Sequence, residues 1–66
     1  DVLEREDAAH AMIGEALVAR GRLRARAGDK VAARADVEAG LARLTAEYAP
    51  EHRLVRAARA LLAEWR

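Results

Sequence analysis

Apolar residues recur with a helical period in three successive stretches of this chain. In the first, Ala9, Met12, Ile13, Ala16, Leu17 and Leu23 follow the i, i+3, i+4, i+7 rule of an amphipathic helix, within sequence that reads as helical from Asp1 to Arg26. The second carries Ala33, Val37, Gly40, Leu41, Leu44 and Tyr48 on one face, with Arg34, Asp36, Glu38, Arg43 and Glu47 falling largely elsewhere around the circumference. The third sets Leu54, Val55, Ala58, Leu61, Leu62 and Trp65 on a single stripe. Turn residues punctuate the pattern. Gly28 suits the left-handed conformation that ends a helix, and Asp29 can cap the next one. Pro50 ends the second helix and suits the first position of a third, where Glu51 adds favourable charge.

The predicted elements are helices over about residues 7–27, 30–48 and 51–65, the acidic cluster that ends at Asp7 suiting the start of the first. Short connections make neighbouring helices antiparallel. The expectation is an all-α fold, a helical hairpin plus a capping helix, in one small domain spanning residues 1–66. Gly14 and Gly21 lie inside the first helical pattern, each costing about 1 kcal/mol against Ala. They mark either a tolerated imperfection or the close approach of a packed neighbour.

Composition narrows what such a fold can do. Of the hydrophobic residues, 18 are alanine and 17 are larger, so the core is thin for a chain already near the lower size limit for independent folding. That predicts reliance on neighbouring units, on a partner or on a second copy. The chain begins at Asp1 without an initiator Met, which suggests a fragment of a larger protein. No apolar run approaches the ~20 residues that span a bilayer, so no membrane is expected and the cytoplasm is the default location. Ser, Asn, Gln, Cys and Phe are missing and Thr occurs once. Catalytic sites draw on hydroxyl, thiol, amide or clustered imidazole groups, so neither an enzyme nor a cofactor is expected. The two histidines form no metal-ligand pattern: His10 has Gly14 four residues on, and His52 sits in a turn where an imidazole packs or caps. No metal is expected.

Charge comes in alternating blocks, −4 over residues 1–15, +5 over 20–34, −3 over 35–51 and +3 over 52–66, for a net +1. On a helix the dense run Arg20, Arg22, Arg24 and Arg26 splits into two pairs, Arg20/Arg24 and Arg22/Arg26. Nucleic acid is not the expected partner, because the net charge is small and the lone aromatics Tyr48 and Trp65 sit on apolar stripes away from the arginines.

The Gly28-Asp29 turn, the small residues Ala33 and Gly40 with Val37 and Leu41 beside them, and the link Ala49-Pro50-Glu51-His52 together resemble a tetratricopeptide repeat. The likeness is to the longer form found in kinesin light chains and many bacterial multi-repeat proteins. Leu17 and Gly21 fit the contact positions of its first helix, and Val55 and Leu62-Ala63 fit the start of a following unit. The resemblance covers about residues 17–63, one degenerate or terminal repeat plus the next unit's first helix. Arg20 and Arg24 stand where the family usually has Leu and Tyr, Lys30 replaces an aromatic and Ala49 a Gly, which predicts a weakened inter-helix core.

What the resemblance implies is a non-catalytic protein–protein interaction module whose first helices line a concave groove. Matching positions puts Glu15, Val18, Arg22 and Arg26 on that face, where Arg53, Arg56 and Arg59 could join them as a basic groove for an acidic peptide or a carboxylate. The opposing reading is ordinary solvated charge pairing with the acidic blocks. The asparagines of the family's carboxylate clamp are absent, so that activity is not carried over. An alternative function is a self-associating docking module, a homo-oligomer burying Leu23, Val55, Leu62 and Trp65, and a third is a small regulatory DNA-binding domain.

Overall fold

The chain turns at the predicted punctuation. The computed structural model describes residues 2–65, with side-chain placement for residues 11–65. Three helices follow one another, α1 (Val2–Arg26), α2 (Lys30–Glu47) and α3 (Arg53–Glu64). α1 begins at Val2 rather than near residue 7, so Asp7 stands inside the helix and not at its start.

Gly28, at φ +91°, supplies the left-handed residue that ends α1. The Gly28 N–H donates to Ala25 O at 3.1 Å and the Asp29 N–H to Arg24 O at 2.9 Å, so two of the last carbonyls of α1 are satisfied. Asp29 then caps α2, its carboxylate accepting from the Ala32 N–H at 3.1 Å. The second turn differs from expectation. Pro50 and Glu51 stay in the turn instead of opening the helix, and the N-cap of α3 is His52 in an extended conformation. Its Nδ1 accepts from the Leu54 N–H at 3.1 Å, and its ring stacks on Tyr48 with centroids 3.9 Å apart. The imidazole thus both caps and packs, and that double role shortens α3 at its start.

α2 is the central element: it packs against both α1 and α3, which barely meet each other. The result is a slab of 40 × 21 × 13 Å. The core follows the predicted stripes on α2 and α3. Ala33, Val37, Leu44, Val55 and Ala58 are buried, and Leu41, Tyr48, Leu54, Leu61, Leu62 and Trp65 pack partly buried around the cluster.

On α1 the prediction fails. Met12, Ile13, Ala16 and Leu23 are exposed, and the buried arc is Ala11, Gly14, Val18 and Gly21; Ala9 lies outside the described side chains. The reason is the distance of closest approach. A Cβ at Gly14 would come within 3.0 Å of Gly40 O, one at Gly40 within 2.8 Å of Gly14 O, and one at Gly21 within 2.9 Å of Ala33 O and 2.6 Å of Val37 Cγ2. The glycines of α1 therefore serve close backbone approach. Gly14 and Gly40 each turn a Cα–H towards the other's carbonyl, the arrangement of weak reciprocal hydrogen bonds worth about 0.5–1 kcal/mol each.

Gly40→Ala should accordingly destabilise the protein although Ala is the better helix former. Propensity returns about 1 kcal/mol, and overpacking against a backbone oxygen costs up to about 3 kcal/mol. A net loss of about 1–2 kcal/mol would lower Tm by roughly 4–16 °C. A thermal melt with Tm unchanged or raised would show that the helices do not meet this closely.

Candidate functional site

Because α1 and α3 flank α2 without joining, a cleft opens between them. Its volume is ≈ 200 Å³ and its lining comes from all three helices. Glu15, Val18, Ala19 and Arg22 come from α1, Leu44 from α2, and Leu54 and Ala57 from α3. Successive turns of α1 place Glu15, Val18, Ala19 and Arg22 along one wall. Leu44 is almost fully buried and closes the floor, while Leu54 and Ala57 form the facing wall. The floor is apolar and the α1 wall carries one carboxylate and one guanidinium, both exposed.

The structure brings together only part of the residue set expected for a groove. Glu15, Val18 and Arg22 line the cleft, although Val18 is buried and offers little more than an edge. Arg26 is exposed one turn beyond Arg22 on the same side of α1. Arg53, also exposed, stands only about 40° around α3 from Ala57, beside the cleft. Arg56 and Arg59 turn away, about 160° and 140° around the helix from Leu54. Packing Val55 and Ala58 onto α2 orients α3 so that those two arginines face the far flank. Ala19, Leu44, Leu54 and Ala57 were not anticipated as lining. For Leu54 and Ala57 the helical wheel held the signal, since both flank the buried stripe on the side towards α1.

Of the anchors expected for self-association, Val55 is fully buried in the chain's own core, and Leu62 and Trp65 pack against that core. Their apolar surface is already largely used within the chain, which corrects their assignment as a docking face. Leu23 remains 64% exposed, joined on the surface by Met12 at 70%.

A second polar feature lies on the opposite flank of the α1–α2 contact. Asp36, expected on the solvated side of α2, is buried. Arg20 grips its carboxylate with two hydrogen bonds of 2.9 Å, from Nε and from an Nη, and Arg24 adds an ion pair at 3.4 Å. Gly21 lies beside the clasp, where a Cβ would touch Asp36 Cβ at an ordinary 3.4 Å. The bidentate fork is the strong form of this contact. The arginines expected to weaken the inter-helix core instead converge on it. The hydrogen bonds from Arg20 hold the Asp36 carboxyl below the usual carboxylate range, burial works against them, and the charges of Arg20 and Arg24 add to the lowering.

Among the described residues no three His, Cys, Asp or Glu side chains gather as a metal site, and no helix is long and apolar enough to cross a membrane. Compared with protein-family models, with curated proteins and with solved structures, the chain matches none.

Two outcomes follow from the Asp36 clasp. Since Asp36 titrates lower in the folded state, its stabilising contribution is whole above about pH 4 and is lost as pH falls through the lowered value. The Tm gap between the native chain and Asp36→Asn should therefore narrow on acidification below about pH 4, and parallel curves would contradict the clasp. Arg20→Leu should cost more stability than Arg20→Leu combined with Asp36→Ala, because the single change leaves a buried carboxylate with only the longer ion pair to Arg24. Equal losses in thermal melts would argue against it.

Proposed function

We propose that the chain is a non-catalytic protein–protein interaction module of tetratricopeptide-like form, which receives a partner segment in the cleft between α1 and α3. The cleft itself carries this reading: an apolar lining of Val18, Leu44, Leu54 and Ala57 beside an exposed Arg22. At ≈ 200 Å³ it falls below the roughly 300–1,000 Å³ of small-molecule sites. A single apolar side chain, delivered by a peptide or a helix, is the better match in size. Arg22, Arg26 and Arg53 lie on or beside the rim and make no ion pair among the described residues. They favour an acidic partner, with the anchor residue flanked by carboxylates. The DNA-binding alternative is not favoured, because Tyr48 stacks on His52, Trp65 packs on the core, and neither stands among these arginines.

The test is fluorescence anisotropy with a labelled acidic peptide carrying a central leucine. Binding in the micromolar range is expected, weakening with salt. Arg22→Glu should weaken it about tenfold or more, as should replacing the leucine with glycine. Amide shifts on binding should concentrate at Val18, Leu54 and Ala57. An affinity indifferent to both changes, or shifts centred elsewhere, would overturn the reading.

A further inference from the structure

The outer face of α1 carries an apolar seam that packs on no other helix among the described residues, with Ala19 reaching the edge of the cleft. Met12, Ala16, Ala19 and Leu23 recur at spacings of four, three and four, and all four are exposed. Met12 and Leu23 lie about 120° and 140° around the helix from Val18, well clear of the arc that packs on α2. This is the spacing of a coiled-coil seam. Large apolar side chains stand at its two ends and alanines at its middle, a profile that reads the same when reversed.

We propose that this seam pairs with the same seam of a second copy of the chain, with the two α1 helices antiparallel about a twofold axis near Leu17 and Val18. Met12 then meets Leu23 of the second copy at each end, and Ala16 meets Ala19 between them, where the absence of bulk lets the helices approach closely. Such an interface is isologous: every contact occurs twice.

Charge selects the occupant and the direction. Among the described side chains the first part of α1 carries one charge, Glu15, and the second is basic, with Arg20, Arg22, Arg24 and Arg26. A parallel pair would set acid beside acid and base beside base. About that twofold, residues 9–15 of each copy, with Glu15, lie along residues 20–26 of the other, with its four arginines. Next to the seam the match becomes specific. Glu15 and Arg22 occupy equivalent flanking positions, each one residue before a seam residue, and the twofold brings Glu15 of each copy towards Arg22 of the other. Both are exposed and neither makes an ion pair among the described residues. A patch that is its own complement under reversal points to a second copy in preference to an unrelated partner. This pairing does not depend on the cleft's binding a peptide, and the two would compete for Arg22.

Sedimentation equilibrium of the 66-residue chain tests it. The mass should rise from the monomer's 7.2 kDa towards twice that value with concentration, and the association should weaken with salt. Arg22→Glu and Glu15→Arg should each raise the dimer dissociation constant about tenfold, since each replaces two attractive pairs with two repulsive ones. Glu15→Arg combined with Arg22→Glu should restore it. Far-UV circular dichroism checks that these surface variants stay helical.

Direction is read by oxidation, made simple by the absence of native cysteine. Mixed Met12→Cys and Leu23→Cys chains should cross-link to each other. Leu23→Cys alone should not, because an antiparallel pair holds the two sites about 16 Å apart, beyond disulfide reach. A monomer at every concentration, a dimer indifferent to the charge swaps, a double swap that fails to restore association, or efficient cross-linking of Leu23→Cys alone would each overturn the proposal.

Discussion

The close approach of α1 and α2 through Gly14, Gly21 and Gly40 is the constraint on which the other features rest. With no Cβ between them the two backbones meet almost directly, carbonyl facing Cα. Hydrophobic burial at that seam is modest, because glycine and alanine have little apolar surface to remove from water. Dispersion between closely packed backbones takes a larger share. The tight seam also decides where everything else can go. Larger side chains of α2 and α3, namely Val37, Leu44 and Val55, fill the space beyond it, and those of α1 are pushed to the outside or to the cleft edge.

Tight helical seams made of small residues are poor at fixing register, since one small residue resembles another. Here the Asp36 clasp adds what the glycines lack. Arg20 and Arg24 sit one turn apart and converge on a single carboxylate, so sliding α1 along α2 by a turn in either direction would leave Asp36 with one of its two arginines. The glycines set how near the helices come, and the clasp sets where along their length. The cleft inherits both settings, because Glu15, Val18, Ala19 and Arg22 reach it only from this placement of α1 over Leu44.

Much of this fold was legible in the sequence. Gly28-Asp29 gave away the first turn because few other pairs serve both a left-handed residue and a cap. The stripes of α2 and α3 are legible because, apart from the exposed Val31, the large apolar residues of each helix form one arc. α1 has two arcs of equal period. Periodicity cannot choose between them, and hydrophobicity favoured the wrong one, since Met12, Ile13 and Leu23 outrank Ala11, Gly14 and Gly21. The choice is made by the partner: Gly40 on α2 accepts only a surface as flat as its own. Asp36 was misplaced because its charge argued for solvent, while its spacing, three from Ala33 and four from Gly40, argued for the interface. At the cleft, the resemblance to a repeat pointed to Glu15, Val18 and Arg22. Arg56 and Arg59 failed because the orientation of α3 is set by Val55 and Ala58, not by the arginines.

The glycine seam has a genetic corollary. Every glycine codon begins with two guanines, and any single-base missense change in it yields a residue with a Cβ. At Gly14, Gly21 and Gly40 that atom would land within 3.0 Å of a backbone oxygen on the facing helix. No one-step amino-acid replacement at these three positions is conservative, not even alanine. Drift in this chain can exchange one core aliphatic for another of like volume at a cost under about 1.5 kcal/mol, or arginine for lysine outside the Asp36 clasp. It is barred where the residues carry no side chain at all.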